Sequence, residues 1–276
     1  MRTVSSLADL RSARLPFSGT VGFVPTMGFL HEGHLALIRR AREECEHVVV
    51  SIFVNPTQFG PKEDLSKYPR DLERDFRLIE PHTDLAWTPS AESMYPQGYQ
   101  TWVEVEAMTK PLEGAMRPGH FKGVTTIVAK LFNSVQPHKA YFGQKDAQQV
   151  AVIRQMVRDL NFSTELVVCP IIREADGLAM SSRNVYLDPE QRKAATVLFR
   201  SLSAAKDAYE QGERDAEKLR QVMKNVLTSE PLAQMQYASC ADYDTLEELE
   251  AIKGKALLSM AVFFGKTRLI DNFVLG

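Results

Sequence analysis

VGFVPTMGFLHEGHLALIRRAREECEHVVVSIFV, residues 21–54, decides the fold. Its two ends, 21–24 and 48–54, are short apolar runs rich in valine and phenylalanine, the texture of strands buried on both faces of a parallel sheet. Between them Leu35, Ile38 and Ala41 recur with the period of a helix that carries one apolar stripe. The span as a whole has the length of one βαβ unit. Outward from it, further strands are predicted at 84–88, 101–105, 140–142 and 165–168, and helices at 72–79, 124–135 and 148–160. Strands and helices in alternation predict an α/β fold, a doubly wound, Rossmann-like parallel sheet.

The texture changes after about residue 171. Asp188-Pro189 followed by Gln191 supplies an N-cap, a proline at the first helical position and a capping-box partner, and Ala194, Leu198, Leu202, Ala205 and Tyr209 then share one helical face as far as Gly212. A second helix is predicted at 215–227. Three strands follow, at 236–243, 256–264 and 268–275, the last two joined at Gly265-Lys266 as a hairpin. This reading divides the chain into a Rossmann-like domain, 1–171, and a smaller α+β domain, 172–276.

Bulk composition excludes several classes. With 276 residues, 44% hydrophobic and 25% charged, the chain can bury a sizeable core and is far from a disordered composition. A net charge of -2 leaves no broad basic field for nucleic acid. Cys45, Cys169 and Cys240 are odd in number and widely spaced, which suggests neither a disulfide framework nor a zinc site and fits a reducing compartment. The first 17 residues lack the pattern of a signal peptide, and 48–54 is too short to span a bilayer. A cytoplasmic protein is expected, with no membrane partner.

Three stretches carry chemistry. Met27-Gly28-Phe29-Leu30-His31-Glu32-Gly33-His34 lies where a buried strand gives way to a helix, at the carboxyl edge where open α/β sheets bind ligands. Backbone N–H groups at such a helix start, with two imidazoles beside them, suit phosphoryl oxygens. The same pattern also fits two structural histidines at a helix cap. Met180-Ser181-Ser182-Arg183 offers two hydroxyls and a guanidinium, able to clamp a triphosphate, although a solvated serine loop has the same composition. Gly143-Gln144-Lys145-Asp146 brings a lysine to the same sheet edge. Gln58 and Gln149 are neutral amides able to orient an acid substrate without a tight ion pair that would damp its attack.

Taken together, PTMGFLHEGH (25–34), SIFVNPTQF (51–59), EDLSKYPR (63–70), RPGHFKGVTTIVAKLFN (117–133), FGQKDAQQ (142–149) and DGLAMSSRN (176–184) closely resemble the pantothenate synthetase family, a branch of the HxGH nucleotidyltransferases. The resemblance covers the N-terminal two-thirds in order. His-x-Gly-His alone is shared with many nucleotidyltransferases and MSSR resembles the KMSKS loop of class I aminoacyl-tRNA synthetases, whereas NPTQF with RPGHFKGV is much more specific. It implies an ATP-dependent ligase in which pantoate is activated as pantoyl-adenylate and then captured by β-alanine, with Mg accompanying ATP. It also implies a homodimer, with the C-terminal domain as a lid carrying the MSSR loop.

On that resemblance residues 27–34, 143–146 and 180–183 and Ile172 are expected at ATP. His34, His31, Lys145 and Arg183 would be the catalytic charge stabilisers, and Gln58 and Gln149 would hold pantoate and β-alanine. Asn55, Arg117 and His120 rank behind them, residues 60–68 are a candidate gate, and Asp75 is a candidate magnesium contact. Two positions depart from the family pattern: Gln144 where it usually has Glu, and Ala147 where it usually has Tyr. The rival readings are another HxGH adenylyltransferase and a non-catalytic nucleotide-binding module descended from a synthetase.

Overall fold

The apolar runs of the first two-thirds pair into a six-stranded parallel sheet in the computed structural model, which describes residues 1–61, 63 and 65–276. Its strands are β1 (Arg2–Val4), β2 (Val21–Thr26), β3 (His47–Ile52), β4 (Leu85–Trp87), β5 (Lys139–Gly143) and β6 (Glu165–Cys169), in the spatial order β1-β4-β3-β2-β5-β6. Among the described residues the accompanying helices are α1 (Leu7–Arg14), α2 (Glu32–Glu44), α3 (Leu72–Ile79), α4 (Ala91–Met94), α5 (Glu113–Met116), α6 (His120–Val135) and α7 (Ala147–Asp159). Phe23 and Val49 belong to one apolar cluster, and their chain neighbours Val24 and Val50 to another. Successive strand residues point to opposite faces, so both faces of the sheet are buried, which is why these strands read as unbroken apolar runs.

From β2 the chain steps through β3 to β4, then returns across the sheet by way of α6 to place β5 on the other side of β2. The carboxyl ends of β2 and β5 therefore flank a switch point, where connections leave in opposite directions and open a crevice.

The remaining helices, α8 (Pro189–Ala194), α9 (Val197–Glu210) and α10 (Ala216–Thr228), pack on an antiparallel sheet of β7 (Ala233–Asp242), β8 (Ala256–Phe264) and β9 (Thr267–Leu275). Leu198, Leu202, Leu219 and Met223 meet Leu258, Met260 and Phe264 in a separate core. Among the described residues no helix is long and apolar enough to cross a membrane.

Two sequence expectations need correction, and one strand–helix pair was not foreseen. Residues 101–105 form no strand. The Val103 N–H instead donates to Thr126 Oγ1 at 3.0 Å, and Thr125 Oγ1 donates to the Val103 carbonyl at 2.7 Å, so hydroxyls of α6 satisfy a backbone that a sheet neighbour would otherwise pair. The N-terminal strand and helix, β1 and α1, escape a periodicity reading because three strand residues hold too little pattern. The helix expected after Asp188 is broken between α8 and α9, where Thr196 Oγ1 donates back to the Lys193 carbonyl at 2.8 Å, a side-chain bond that competes with the helical ladder.

Candidate active site

At the end of β2 the chain turns through two left-handed residues, Gly28 (φ 81°) and Phe29 (φ 50°). A bulky side chain at positive φ is strained and persists only when its surroundings fix it. Asp75 of α3 does so: its carboxylate, 1% exposed, accepts the Phe29 N–H at 2.7 Å and the Leu30 N–H at 2.8 Å. Both carboxylate oxygens are thus committed to backbone, a duty different from the magnesium contact suggested by resemblance.

His31 then caps α2. Its Nδ1 accepts the Gly33 N–H at 3.1 Å, while Nδ1 of His34 accepts the His31 N–H at 3.3 Å, a reciprocal capping box built of two imidazoles. A Cβ at Gly33 would stand 2.8 Å from Cε1 of the His31 ring, so glycine is what lets the ring fold back onto the helix start. The helix end thus commits to its own histidines part of the backbone N–H set that a phosphate was expected to use.

The committed atoms define what is left. With Nδ1 of both rings accepting, the neutral imidazoles carry their proton on Nε2 and remain hydrogen-bond donors. Desolvation, followed by the charge of Lys145, lowers the His31 pKa to about 4. Desolvation, then His31 and Lys145, lowers that of His34 to about 3. The rings lie 4.1 Å apart, close enough that two positive charges would repel strongly. At neutral pH the pair is a set of two N–H donors without net charge.

Lys145 sits in the 3-10 turn Gln144–Asp146 that follows β5, across the switch point from the histidines. From the other direction comes the 3-10 turn Ser182–Tyr186, where Ser181 Oγ accepts the Arg183 N–H at 3.2 Å and Ser182 Oγ donates to the Phe29 carbonyl at 3.2 Å. The guanidinium of Arg183 lies 5.8 Å over the Tyr68 ring. Two stretches far apart in the chain therefore touch through one hydroxyl.

The acid side of the cleft is held by α6. A Cβ at Gly123 would fall 2.5 Å from the Thr57 carbonyl oxygen and 2.7 Å from the Gln58 nitrogen, so this glycine lets the helix rest directly on the turn Pro56–Gln58. Asn55, 1% exposed, ties the two together, its Nδ2 donating to the Gly123 carbonyl and to Gln58 Oε1, each at 3.1 Å. His120 donates from Nδ1 to the Gln58 carbonyl at 2.8 Å and receives Arg117 Nη1 on Nε2 at 3.1 Å. Desolvation and then Arg117 lower the His120 pKa to about 4, so this ring too is neutral. Arg117 forms a two-point ion pair with Glu63 at 2.7 and 2.6 Å. Lys62 and Asp64, in the candidate gate, lie outside the described residues.

A single cleft is lined by Met27, His31, Gly33, His34, Gln58, Gly143, Lys145, Asp146, Gln149, Ile172, Met180, Ser181, Ser182 and Arg183, with Asn55, Arg117 and His120 beside them. Five predicted residues do not line it. Gly28 and Phe29 shape the turn beneath, Leu30 is core, and Glu32 is exposed and paired with Arg39 on the outer face. The Gln144 amide is bonded to Asn272 at 3.1 Å. Tyr68, the last residue of the candidate gate, lines the cleft, whereas sequence reading missed the contributions of Phe53, Pro170 and Ile171 to the walls. Phe53 was within reach, since it lies inside SIFVNPTQF; Pro170 and Ile171 carry no residue-level signal.

Comparison with known proteins follows the same line. A family model for pantoate-beta-alanine ligase matches residues 1–274. This chain belongs to the pantoate-beta-alanine ligase family. A pantothenate synthetase from Roseiflexus sp. (strain RS-1) is 59% identical over 276 residues, covering 100% of this chain and 99% of the relative. The crystal structure of pantothenate synthetase from Thermus thermophilus superposes with a TM-score of 0.95 at 52% identity, covering 99% of each chain. That of a pantoate-beta-alanine ligase from Francisella tularensis, complexed with beta-gamma ATP and beta-alanine, gives 0.81 at 34% identity over 99% of this chain and 97% of the other. The chain is thus a ligase of this family, built on a six-stranded parallel α/β sheet with a small antiparallel sheet after it in sequence.

Among the described residues no group of three His, Cys, Asp or Glu side chains forms a cage for a metal ion, and Asp146 is the carboxylate that lines the cleft. This donor set fits a magnesium ion that arrives on the triphosphate and keeps much of its water, the usual habit of that ion.

Proposed function

We propose that the cleft joins (R)-pantoate to β-alanine in two steps. A pantoate carboxylate oxygen attacks the α-phosphorus of ATP, and the bond from that phosphorus to the bridging oxygen breaks, so pyrophosphate leaves and pantoyl-adenylate forms. The β-alanine amine then attacks the activated carbonyl carbon, the carbon–oxygen bond to AMP breaks, and the amine loses a proton as the amide forms. The observation that carries this reading is the meeting of the two neutral imidazoles, Lys145 and the turn bearing Arg183 in one cleft, with Gln58 and Gln149 alongside.

Each group has a role its chemistry supports. His31 and His34 donate from Nε2 to phosphoryl oxygens without adding a charge that would have to be desolvated. Lys145 and Arg183 offset the negative charge that grows on the departing pyrophosphate; a preorganised donor of this kind is typically worth about 10²–10³ in rate. Gln58, fixed by Asn55 and His120, and Gln149 hold pantoate for in-line attack. Magnesium, when bound, neutralises phosphoryl charge, and Asp146 would hold it directly or through water.

Residues 172–276 serve as the lid on residues 1–171, a reading supported by the Ser182 bond to Phe29 and by Tyr186, whose hydroxyl donates to the Lys67 carbonyl at 2.8 Å. The protein acts as a cytoplasmic homodimer whose partners are pantoate, β-alanine and ATP, with neither nucleic acid nor membrane among them. Light scattering of the purified protein checks the dimer. For the chemistry, exchange of pyrophosphate into ATP is expected to need pantoate but no β-alanine, and AMP release to need all three substrates. Exchange that depended instead on a phosphorylated nucleotide or on a pantetheine phosphate would overturn the assignment.

A further inference from the structure

Strand β9 carries no family signature, yet it holds two successive polar residues, Asp271 and Asn272, each 2% exposed. Buried polar groups are kept only where they find partners, so their partners are informative. Asp271 takes the guanidinium of Arg173 at 2.7 and 2.9 Å. Arg173 also donates to the Gly177 carbonyl at 3.0 Å and lies between the Phe199 and Phe273 rings, 4.9 and 5.1 Å from their centres. It pairs with Ala179 across an antiparallel bridge, and the Met180 N–H meets the Ile172 carbonyl at 3.0 Å. The carboxylate therefore anchors the base of the hairpin that ends in residues 180–183.

Asn272 grips the other side. Its Nδ2 donates to the carbonyls of Gln144 and Lys145 at 3.0 and 2.9 Å, and its Oδ1 accepts Gln144 Nε2 at 3.1 Å. Both amide hydrogens and one oxygen lone pair go to the lysine-bearing turn. That turn has no side-chain cap of its own, and neither has α7 after it. Nothing local fixes the turn's peptide groups in the way Asn272 does.

We propose that Asn272 is a positioning residue for Lys145 in adenylate formation, and that with Asp271 it sets the lysine turn against the hairpin carrying Arg183. The proposal rests on the reading of the cleft as an ATP site. Its departure from a plain folding contact is that its effect must run through the lysine. Asn272→Asp is nearly isosteric, but it turns two N–H···O bonds into oxygen facing oxygen.

The test uses four full-length proteins: wild type, Asn272→Asp, Lys145→Ala and the double variant. Pyrophosphate release is followed in a single turnover with ATP and pantoate, and thermal midpoints check folding. Asn272→Asp is expected to slow release by about 10- to 100-fold in the wild-type background, as a misplaced catalytic group does. In the Lys145→Ala background the same change is expected to cost less than about threefold. Equal losses in both backgrounds, or no loss in the first, would overturn the proposal. If Asn272→Asp does not fold, Gln144→Ala removes one of the three bonds and should show a smaller loss with the same dependence on Lys145. Should the wild type release no pyrophosphate, the function proposed above fails by itself. The coupling is then judged from ATP affinity by calorimetry in the same proteins, where a loss confined to the Lys145 background supports it and a background-independent loss overturns it.

Discussion

At the scale of single residues, the decisive quantity is charge state. His31, His34 and His120 are held neutral by burial and by cationic neighbours, with pKa values of about 4, 3 and 4. An unfolded histidine titrates near about 6.5, so below that pH the unfolded chain binds protons that the folded chain refuses. Stability is therefore fully present above about 6.5 and falls as the pH drops toward about 4 to 3. Urea midpoints measured from about pH 7.5 to about 4.5, a range that spans the unfolded value, should show this slope. His31→Gln/His34→Gln should flatten it; an unchanged slope would mean that these rings are protonated in the fold. Lys145→Ala is expected to lower adenylate formation by about 100- to 1,000-fold with little change in thermal midpoint, because the lysine faces the cleft and not a core. Rapid-quench measurement of pyrophosphate distinguishes this from a binding defect.

Elements hold those residues where they act. The turn at residues 27–30 is strained at Phe29 and pinned by Asp75. Asp75→Ala leaves two backbone N–H groups without acceptors, an expected loss of about 1–3 kcal/mol for each if they stay buried. Denaturant titration measures it, and a loss below about 0.5 kcal/mol, the range of an ordinary surface substitution, would show that the pin is dispensable. Gly123 shows the same logic in a helix. Gly123→Ala drives a methyl into the backbone at Thr57 and Gln58, neither of which can rotate away as a side-chain end could. Overpacking of this kind costs about 1–3 kcal/mol, and the displaced Gln58 should raise KM for pantoate more than KM for ATP. Steady-state kinetics with each substrate varied in turn test that asymmetry.

For the whole molecule, the two sheets are joined by buried charge as well as by apolar contact. Glu113 of α5 takes Arg268 of β9 at 2.7 Å on each oxygen, and Tyr237 of β7 donates to it at 2.8 Å. Burial alone would push the Glu113 pKa up, but Arg268 and Tyr237 outweigh it and the net direction is down. Its contribution is thus present above the ordinary carboxylate range and is lost as the pH falls below it. Arg268→Leu strands a buried carboxylate, and the expected loss is about 3–5 kcal/mol. Adding Glu113→Gln to that variant should recover part of the loss, because a neutral amide costs less than a carboxylate to bury unpaired. Chemical denaturation of the two variants compares them directly.

What the amino-acid order determined is whatever is written in short-range pattern. Apolar runs, helical periodicity and the glycine-histidine stretch at 25–34 were enough for five of the six parallel strands and for the antiparallel hairpin near the C-terminus, and the motifs at 31–34, 143–146 and 180–183 held many of the polar residues that line the cleft. These features are local, since each depends on residues within a turn or two of one another. Only the tertiary structure decided which N–H and carbonyl groups already had partners: that Asp75 serves the backbone of Phe29 and Leu30, that both imidazoles use Nδ1 on their own helix, that residues 101–105 bond to threonine hydroxyls and form no strand, and that Asn272 reaches Lys145. Most of those outcomes depend on partners tens to more than a hundred residues away. A hydrogen bond is fixed by distance and angle in space, and no spacing along the chain encodes it.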